Sequence, residues 1–197
     1  MSRMKTSAAR LTFMDVAISR TGLLWDAVLV VGFACLTAAF AQISFWVGPV
    51  PITGQTFAVL LTGALLGSRR GALSQLSYLA IGATGIPYWF ALGGTPGIAR
   101  LIGPTGGYLI GFVAVAFLVG WLAERGWDRR VWTAALAMLA GEAVLYVFGL
   151  SWLVRFVPGD KVLQAGLYPF IIGDLIKVAA AALILPSGWI LLRRFRN

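Results

Sequence analysis

Long apolar segments separated by short loops constrain this chain more than any other feature. A helix of about 20 apolar residues is long enough to cross the hydrocarbon core of a bilayer. We predict six crossings, at residues 25–46, 55–68, 71–87, 105–123, 131–152 and 166–192. The predicted fold class is an all-α integral membrane protein, in which residues 25–197 form a single six-helix transmembrane domain.

The composition agrees with a membrane location. Only 12% of the residues are charged and 59% are hydrophobic, whereas soluble domains contain about 25% charged residues. The sequence has no histidine, and Cys35 is its only cysteine. These counts exclude histidine-based catalysis and a cysteine metal cluster. We therefore predict no catalytic residues, no metal and no cofactor, and an intramembrane enzyme is disfavoured.

The net charge of +9 raises the question of a nucleic-acid partner, but the placement of the basic residues indicates another origin. If the N-terminus is cytoplasmic, most of the 16 Lys and Arg residues fall in cytoplasmic segments, and only Arg100, Arg155 and Lys161 fall in outer loops. This asymmetry follows the positive-inside rule. We predict cytoplasmic N- and C-termini, a basic cytoplasmic lead-in at residues 1–24, and no nucleic-acid binding.

Two opposite charges lie inside the sixth apolar segment. Asp174 and Lys177 are three residues apart, so their side chains share one face of a helix. Each charge costs about 2.5–3.5 kcal/mol at membrane depth, and a ligand site is the default explanation for keeping it there. The alternative is a self-neutralising pair that joins helices.

Two segments between the apolar runs are irregular without being polar. Gly and Pro interrupt residues 47–56, where Thr53 is placed to cap the second helix. Residues 88–107 are apolar, aromatic and rich in glycine. Irregular backbone at membrane depth is tolerated where it is buried in protein or lines a cavity. We expect residues 88–107 to form a lid or a cavity wall.

Further polar residues lie in or near the predicted spans. Asp26 falls in the first turn of the first span, where the helix dipole stabilises a carboxylate. Glu142 has Tyr146 one turn after it, and it either contacts ligand, pairs with Lys177 or packs between helices. Gln75 is placed to hydrogen-bond a neighbouring helix.

Small residues recur along the first span. Ala34 and Ala38 are four residues apart, a spacing that lets another helix approach closely. The spacing alone leaves two interpretations open: an exposed stripe that docks a partner protein, and ordinary internal packing.

Five motifs occur in order along the chain. They are residues 49–56 (PVPITGQT), 67–72 (GSRRGA), 82–87 (GATGIP), 103–112 (GPTGGYLIGF) and 169–177 (PFIIGDLIK). From about Trp25 to the end of the sixth span, this pattern resembles the biotin-specific S-component family BioY, the substrate-capture subunits of energy-coupling factor (ECF) vitamin transporters. The resemblance implies six membrane helices, a high-affinity biotin site near the outer face and a location in the bacterial cytoplasmic (inner) membrane. It also implies a transmembrane coupling protein and two ATPase subunits as partners in biotin uptake.

The resemblance assigns roles to particular residues. Asp174 and Lys177 match the paired polar residues of the family's last helix, which are implied to contact the fused ureido ring. A carboxylate accepts from ureido N–H groups, and an ammonium donates to the ureido C=O. Thr53 and Gln55 match the first-loop motif and are expected to wall the site, and Tyr108 is a further pocket residue.

The outer loop and the first span supply the remaining assignments. Trp89 and Phe90 are expected to cover the apolar part of biotin. Arg100 has no counterpart in the resemblance, and chemistry alone proposes it as the cation that meets the carboxylate, the alternative being a solvated loop arginine. Ala34 and Ala38 resemble the small-residue pattern by which S-components dock the coupling protein.

Some alternatives stay open at this point. An S-component for another vitamin, such as thiamin or riboflavin, is an alternative that the five motifs argue against, whereas the spacing does not exclude a biotin precursor such as dethiobiotin. The sequence also leaves open whether the chain works with ECF partners or alone, as a homo-oligomer.

Overall fold

The computed structural model describes residues 11–17 and 22–196. The basic residues Arg3, Lys5, Arg10 and Arg20 of the predicted lead-in lie outside these ranges. The helices are α1 (Phe13–Ala17), α2 (Leu23–Ala41), α3 (Gln55–Leu66), α4 (Ser68–Ala83), α5 (Ile98–Ile102), α6 (Gly106–Ala123), α7 (Val131–Leu153), α8 (Val162–Gly166) and α9 (Ile171–Arg196). Strands β1 (Ser44–Trp46) and β2 (Pro51–Thr53) form a hairpin, and 3₁₀ turns occupy Trp127–Arg129 and Gly159–Lys161.

Four helices of the described ranges are long and apolar enough to cross a membrane: α2, α6, α7 and α9. The apolar helix α3 has only 12 residues, a length of about 18 Å. The hydrocarbon core of a bilayer is about 30 Å thick. The second apolar run, predicted at residues 55–68, is therefore too short to cross the bilayer perpendicularly, and α3 and α4 are both shorter than the four long helices.

The central helix is α6, which packs against α3, α4 and α7. Glycine permits its close contact with α3 and α4. A Cβ added at Gly63 of α3 would lie 2.6 Å from the Ala116 carbonyl oxygen of α6, and one at Gly71 of α4 would lie 3.1 Å from the Gly63 Cα. The three backbones therefore meet at a point where no side chain fits.

The end of α2 corrects the sequence analysis. The first span was predicted to reach residue 46, but α2 ends at Ala41 and residues 44–46 form β1, paired antiparallel with β2. Pro49 and Pro51 prevent a continuing helix, and Gly48 adopts a positive φ of 93° in the connecting turn. The chain is mostly helical, with this one small hairpin in the described part.

The start of α9 also differs from the predicted sixth span. That span was predicted to begin at residue 166, but residues 162–166 form the separate helix α8 and α9 begins at Ile171. Pro169 explains the break, because proline disfavours helical backbone in the residue before it. Pro186 lies inside α9.

Ion pairs join three helices where α3 meets α4. Arg70 of α4 contacts the Asp15 carboxylate of α1 at 2.5 Å and that of Asp26, in the first turn of α2, at 2.9 Å. Burial alone would raise the pKa of Asp15, but hydrogen bonds from Arg70 and Thr12 outweigh burial and hold that pKa below its ordinary value. Asp26 thus has the structural position expected of it, and also a cationic partner.

Candidate ligand-binding site

A cavity lies at the opposite end of the bundle, among α3, α6, α7 and α9. The hairpin, the loop after α4 and α5 also contribute to its walls. The lining residues are Val50, Pro51, Thr53, Gln55, Thr56, Phe90, Arg100, Thr105, Tyr108, Leu109, Phe112, Leu145, Tyr146, Phe170, Asp174 and Lys177.

The ion pair of α9 forms one wall of the cavity. Lys177 Nζ donates to Asp174 Oδ1 at 2.9 Å and to Thr56 Oγ1 of α3 at 2.8 Å. The Tyr146 hydroxyl of α7 donates to the other oxygen of Asp174, Oδ2. Three helices therefore hold the pair in place, with an acceptor and a cationic donor side by side at the cavity wall.

The sequence analysis missed two members of this arrangement. Thr56 was not singled out, and Tyr146 was noted only for its place one turn after Glu142. Their side chains fix the Asp174–Lys177 pair, and both line the cavity. The i, i+4 spacing placed Tyr146 on the polar face of α7, but no sequence signal indicated Thr56.

Thr53 and Gln55 form a polar corner where the hairpin enters α3. The Thr53 hydroxyl donates to Gln55 Oε1 at 2.7 Å, and Gln55 Nε2 donates to the Tyr78 hydroxyl of α4. Gly54, not Thr53, is the N-cap residue of α3, although Thr53 Oγ1 accepts from the Gln55 backbone N–H at 3.3 Å. Both predicted residues line the cavity, and their mutual bonds fix the wall there.

Trp89 and Phe90 separate in the structure. Phe90 lines the cavity, whereas Trp89 is not among the lining residues. Trp89 instead stacks on Tyr78 at a ring distance of 5.9 Å, and its Nε1–H donates to the Tyr78 backbone oxygen at 2.8 Å. Trp89 therefore fastens the loop after α4 to that helix, while Phe90 faces the ligand space.

Tyr108 lines the cavity, whereas its hydroxyl forms a hydrogen bond within the protein. The hydroxyl donates to the Gly166 backbone oxygen at 2.7 Å. A Cβ at Gly149 of α7 would collide with the Tyr108 ring, and one at Gly166 of α8 would collide with the Tyr108 hydroxyl. Tyr108 is thus held between two helices, and its hydroxyl is already bonded.

Arg100 of α5 is a buried cation that lines the cavity. It is only 7% exposed, so the alternative of a solvated loop arginine is wrong. Its guanidinium lies 5.0 Å from the centre of the Trp46 ring, and no carboxylate of the described residues pairs with it. Burial lowers the pKa of Arg100, but the ordinary pKa of arginine is so high that the group stays charged. A buried cation without an anionic partner suits an anionic ligand group.

Two other polar residues of the predicted spans are buried away from the cavity lining. Gln75 of α4 donates to Thr37 Oγ1 of α2 at 3.2 Å, which is the helix–helix role predicted for it. Glu142 is 5% exposed, and neither of its carboxylate oxygens has a hydrogen-bond partner among the described residues. The expected alternative of a direct Glu142–Lys177 pair does not occur in the structure.

The predicted exposed stripe at Ala34 and Ala38 is wrong. Ala34 is 0% exposed and Ala38 is 8% exposed, and both belong to the hydrophobic core. They lie on either side of Thr37, which accepts the hydrogen bond from Gln75. This face of α2 therefore packs against α4. Small residues allow close packing with any neighbouring helix, and here that neighbour is internal. The exposed face of α2 carries other small residues, Gly32, Cys35 and Ala39.

These features define a membrane-embedded ligand-binding protein. It has a helical bundle and a cavity with a few fixed polar groups on otherwise apolar walls. The chain matches the model of the BioY family over residues 6–194, and it belongs to that family. The family resemblance carried by the five sequence motifs is thereby confirmed.

Curated relatives are named as transporters. The "Probable biotin transporter BioY" of Pyrococcus horikoshii is 44% identical over 156 residues, covering 79% of this chain and 91% of that protein. The "Biotin transporter BioY" of Thermotoga maritima is 40% identical over 154 residues, with 77% and 88% covered. That of Rhizobium etli is 39% identical over 171 residues, with 81% and 90% covered.

A solved structure has the same fold. The crystal structure of the S-component for biotin from an ECF-type ABC transporter aligns with a TM-score of 0.68 at 26% identity. The alignment covers 88% of this chain and 91% of that one.

Proposed function

We propose that this chain is the biotin-binding subunit of a vitamin uptake system and captures biotin from the outer face of the membrane. One observation carries the proposal: the Asp174–Lys177 pair and the buried cation Arg100 line one apolar cavity. Biotin has a ureido ring at one end and a carboxylate at the other, and these ends match the two sets of groups. The names of the relatives support the same ligand.

Each residue predicted for the site has a role in this proposal. Asp174 accepts from a ureido N–H, and Lys177 donates to the ureido C=O with the N–H that Asp174 and Thr56 leave free. Arg100 binds the carboxylate, and Phe90 and the ring of Tyr108 contact the apolar middle of the ligand. Thr53 and Gln55 support the wall near the hairpin, and Trp89 acts indirectly by holding Phe90 in position.

Ligand titration of the purified protein tests this function. We expect saturable biotin binding in detergent without ATP, because the binding groups belong to this chain alone. Thiamin and riboflavin lack the combination of a cyclic urea and a carboxylate, and we expect no binding of either. Dethiobiotin keeps both polar ends, so its relative affinity decides between biotin and a precursor as the preferred ligand. Failure of biotin to bind would refute the function.

The proposal includes the topology of the chain. Six crossings are obtained if α3 and α4 traverse the membrane together with the four long helices, α3 being tilted or partly re-entrant. The N- and C-termini are then cytoplasmic, with residues 1–24 as the lead-in to a single substrate-binding domain. A multi-pass location follows from this arrangement, and the bacterial cytoplasmic membrane is the location that the family resemblance implies.

Transport energy has to come from partner proteins in this proposal, since the sequence contains no ATP-binding motif. The partners are a transmembrane coupling protein and two ATPase subunits, and a homo-oligomer of this chain is the alternative assembly. We place the docking face on the exposed side of α2, where Gly32, Cys35 and Ala39 leave room for close approach of another helix.

Enlarging this face is expected to separate capture from transport. The double variant Cys35→Leu, Ala39→Leu should keep biotin affinity within about twofold, because neither residue lines the cavity. It should lose copurification with the coupling protein, because leucine prevents close backbone approach. Ala179→Leu, at an exposed alanine of α9, is the matched control and should assemble normally. Normal assembly of the double variant would show that the docking face lies elsewhere. Loss of biotin binding would show that the two residues serve internal packing.

A further inference from the structure

Glu142 is a buried acid that the binding site described above does not use. It lies on α7 one turn before Tyr146, behind the cavity wall, and it is 5% exposed. Both carboxylate oxygens lack a hydrogen-bond partner among the described residues. Its neighbour Gly141 is packed against Leu60 of α3 and Val115 of α6, so apolar side chains lie close to this turn of α7.

The charge state of Glu142 is constrained by the ion pair of α9. An ionised Glu142 would be repelled by Asp174 and attracted by Lys177. Lys177 already donates to Asp174 and Thr56, and the Tyr146 hydroxyl is committed to Asp174. Lys177 therefore has one N–H left, the one assigned above to the ureido C=O, and an ionised Glu142 would compete with the ligand for it. Burying a charge without such a partner costs far more than burying the neutral acid.

Other titratable groups are few around Glu142. From α6 only Tyr108 is near, and it interacts with Tyr146. Helices α3 and α8 contain no titratable side chain. Asp128 and Arg129 lie in the 3₁₀ turn before α7, about 20 Å away at roughly 1.5 Å per residue. Asp174 and Lys177 are therefore the charges that Glu142 meets.

We propose that Glu142 carries a proton while the cavity is competent to bind ligand, and that its ionisation weakens binding by drawing Lys177 away from Asp174 and the ligand. The inference rests on the proposed function, because it concerns the ligand affinity of the same site. Glu142 is in this view a positioning residue that acts through Lys177. The neutral acid leaves one cation and one anion at the wall, and the ionised acid adds an uncompensated negative charge.

The direction of the pH dependence follows from this arrangement. An acid is neutral at low pH and ionised at high pH, so biotin affinity should hold at neutral pH and fall as the solution becomes alkaline. Loss of the Lys177 contact corresponds to a fall of about tenfold or more. Glu142→Gln mimics the neutral acid in shape and charge. We expect this variant to bind biotin within about threefold of the wild type at neutral pH and to lose much of the alkaline decline.

Biotin titrations of wild type and Glu142→Gln across this pH range test the proposal. Coincident pH profiles would show that Glu142 does not cause the decline, and they would overturn the proposal. A loss of affinity of tenfold or more for Glu142→Gln at neutral pH would also overturn it, by showing that the negative charge is required.

Infrared spectroscopy tests the proton without a ligand. The wild-type minus Glu142→Gln difference spectrum at neutral pH should contain the carbonyl band of a protonated carboxylic acid, and the band should disappear at alkaline pH. Asp128 is another buried carboxyl group, but it is present in both proteins, so its bands cancel in the difference spectrum. Absence of the band overturns the proposal even if biotin binds. Absence of biotin binding with the band present refutes the ligand function and, with it, the effect on affinity.

Discussion

Replacing Lys177 with alanine is expected to weaken biotin binding more than replacing Asp174 with asparagine. Lys177→Ala removes the donor to the ureido C=O and also the cation that pairs with Asp174 at 2.9 Å. The Asp174 carboxylate then keeps only the Tyr146 hydroxyl in an apolar wall. Asp174→Asn keeps the shape and replaces a charged acceptor by a neutral amide.

The expected losses of biotin affinity follow from the strength of charge-assisted hydrogen bonds. Loss of one such bond costs about 1.5–3 kcal/mol, or roughly 10- to 150-fold in affinity. We expect Asp174→Asn near the lower end of this range and Lys177→Ala near or above its upper end. Titration calorimetry of the folded variants is the measurement. The matched controls, Lys161→Ala and Asp160→Asn, change exposed residues of a 3₁₀ turn outside the cavity lining and should bind normally.

Wild-type affinity in both α9 variants would show that this helix does not contact the ureido ring. The pair would then have the purely structural role that the sequence left open, and the variants would instead lower the thermal stability. Measuring the unfolding temperature beside the affinity therefore separates the two roles of the pair.

Helix positions were predictable from the sequence where apolar runs end at strong signals. The second span, predicted at residues 55–68, is α3 at Gln55–Leu66, and the fifth, predicted at 131–152, is α7 at Val131–Leu153. Gly67 ends α3 with a positive φ of 84°. The hairpin was not predictable, because Gln42 and Ser44 are single polar residues within an otherwise apolar stretch, and no Gly or Pro follows α2 before Gly48.

The members of the cavity were partly predictable. Helical spacing alone indicated that Asp174 and Lys177 share a face. It did not indicate the hydroxyl partners, since the bond from Lys177 to Thr56 joins residues 121 positions apart. Nor could spacing tell which way Ala34 and Ala38 face, because small residues suit internal and external contacts equally.

Arg100→Ala is expected to weaken binding of biotin far more than binding of biotin amide. Arg100 is 7% exposed, lines the cavity and has no carboxylate partner in the described part of the chain. In the variant, the ligand carboxylate would enter an apolar space without its cation, at a cost of about 1.5–3 kcal/mol or more. This corresponds to roughly 10- to 150-fold for biotin. Biotin amide carries no charge at this end and should lose only a few-fold.

Comparing biotin with biotin amide separates the loss of the charge contact from a loosening of the hairpin and the loop after α4, which form part of the cavity wall. The Arg100 guanidinium also packs on Trp46, whose Nε1–H donates to the Leu92 backbone oxygen at 2.9 Å, so Arg100→Ala also loosens the contact between hairpin and loop. That loosening affects biotin and biotin amide alike, whereas loss of the charge contact affects only biotin.

A second arginine provides the control. Arg155 is exposed and packs 4.5 Å from the Trp152 ring, so Arg155→Ala removes the same kind of arginine–tryptophan contact outside the cavity lining. We expect it to bind both ligands normally. If Arg100→Ala lowers the affinities for biotin and biotin amide equally, Arg100 only holds the hairpin against the loop after α4. The carboxylate of the ligand would then face solvent at the cavity mouth. Unequal losses in the expected direction would fix the orientation of biotin, with the ureido ring at α9 and the carboxylate at α5.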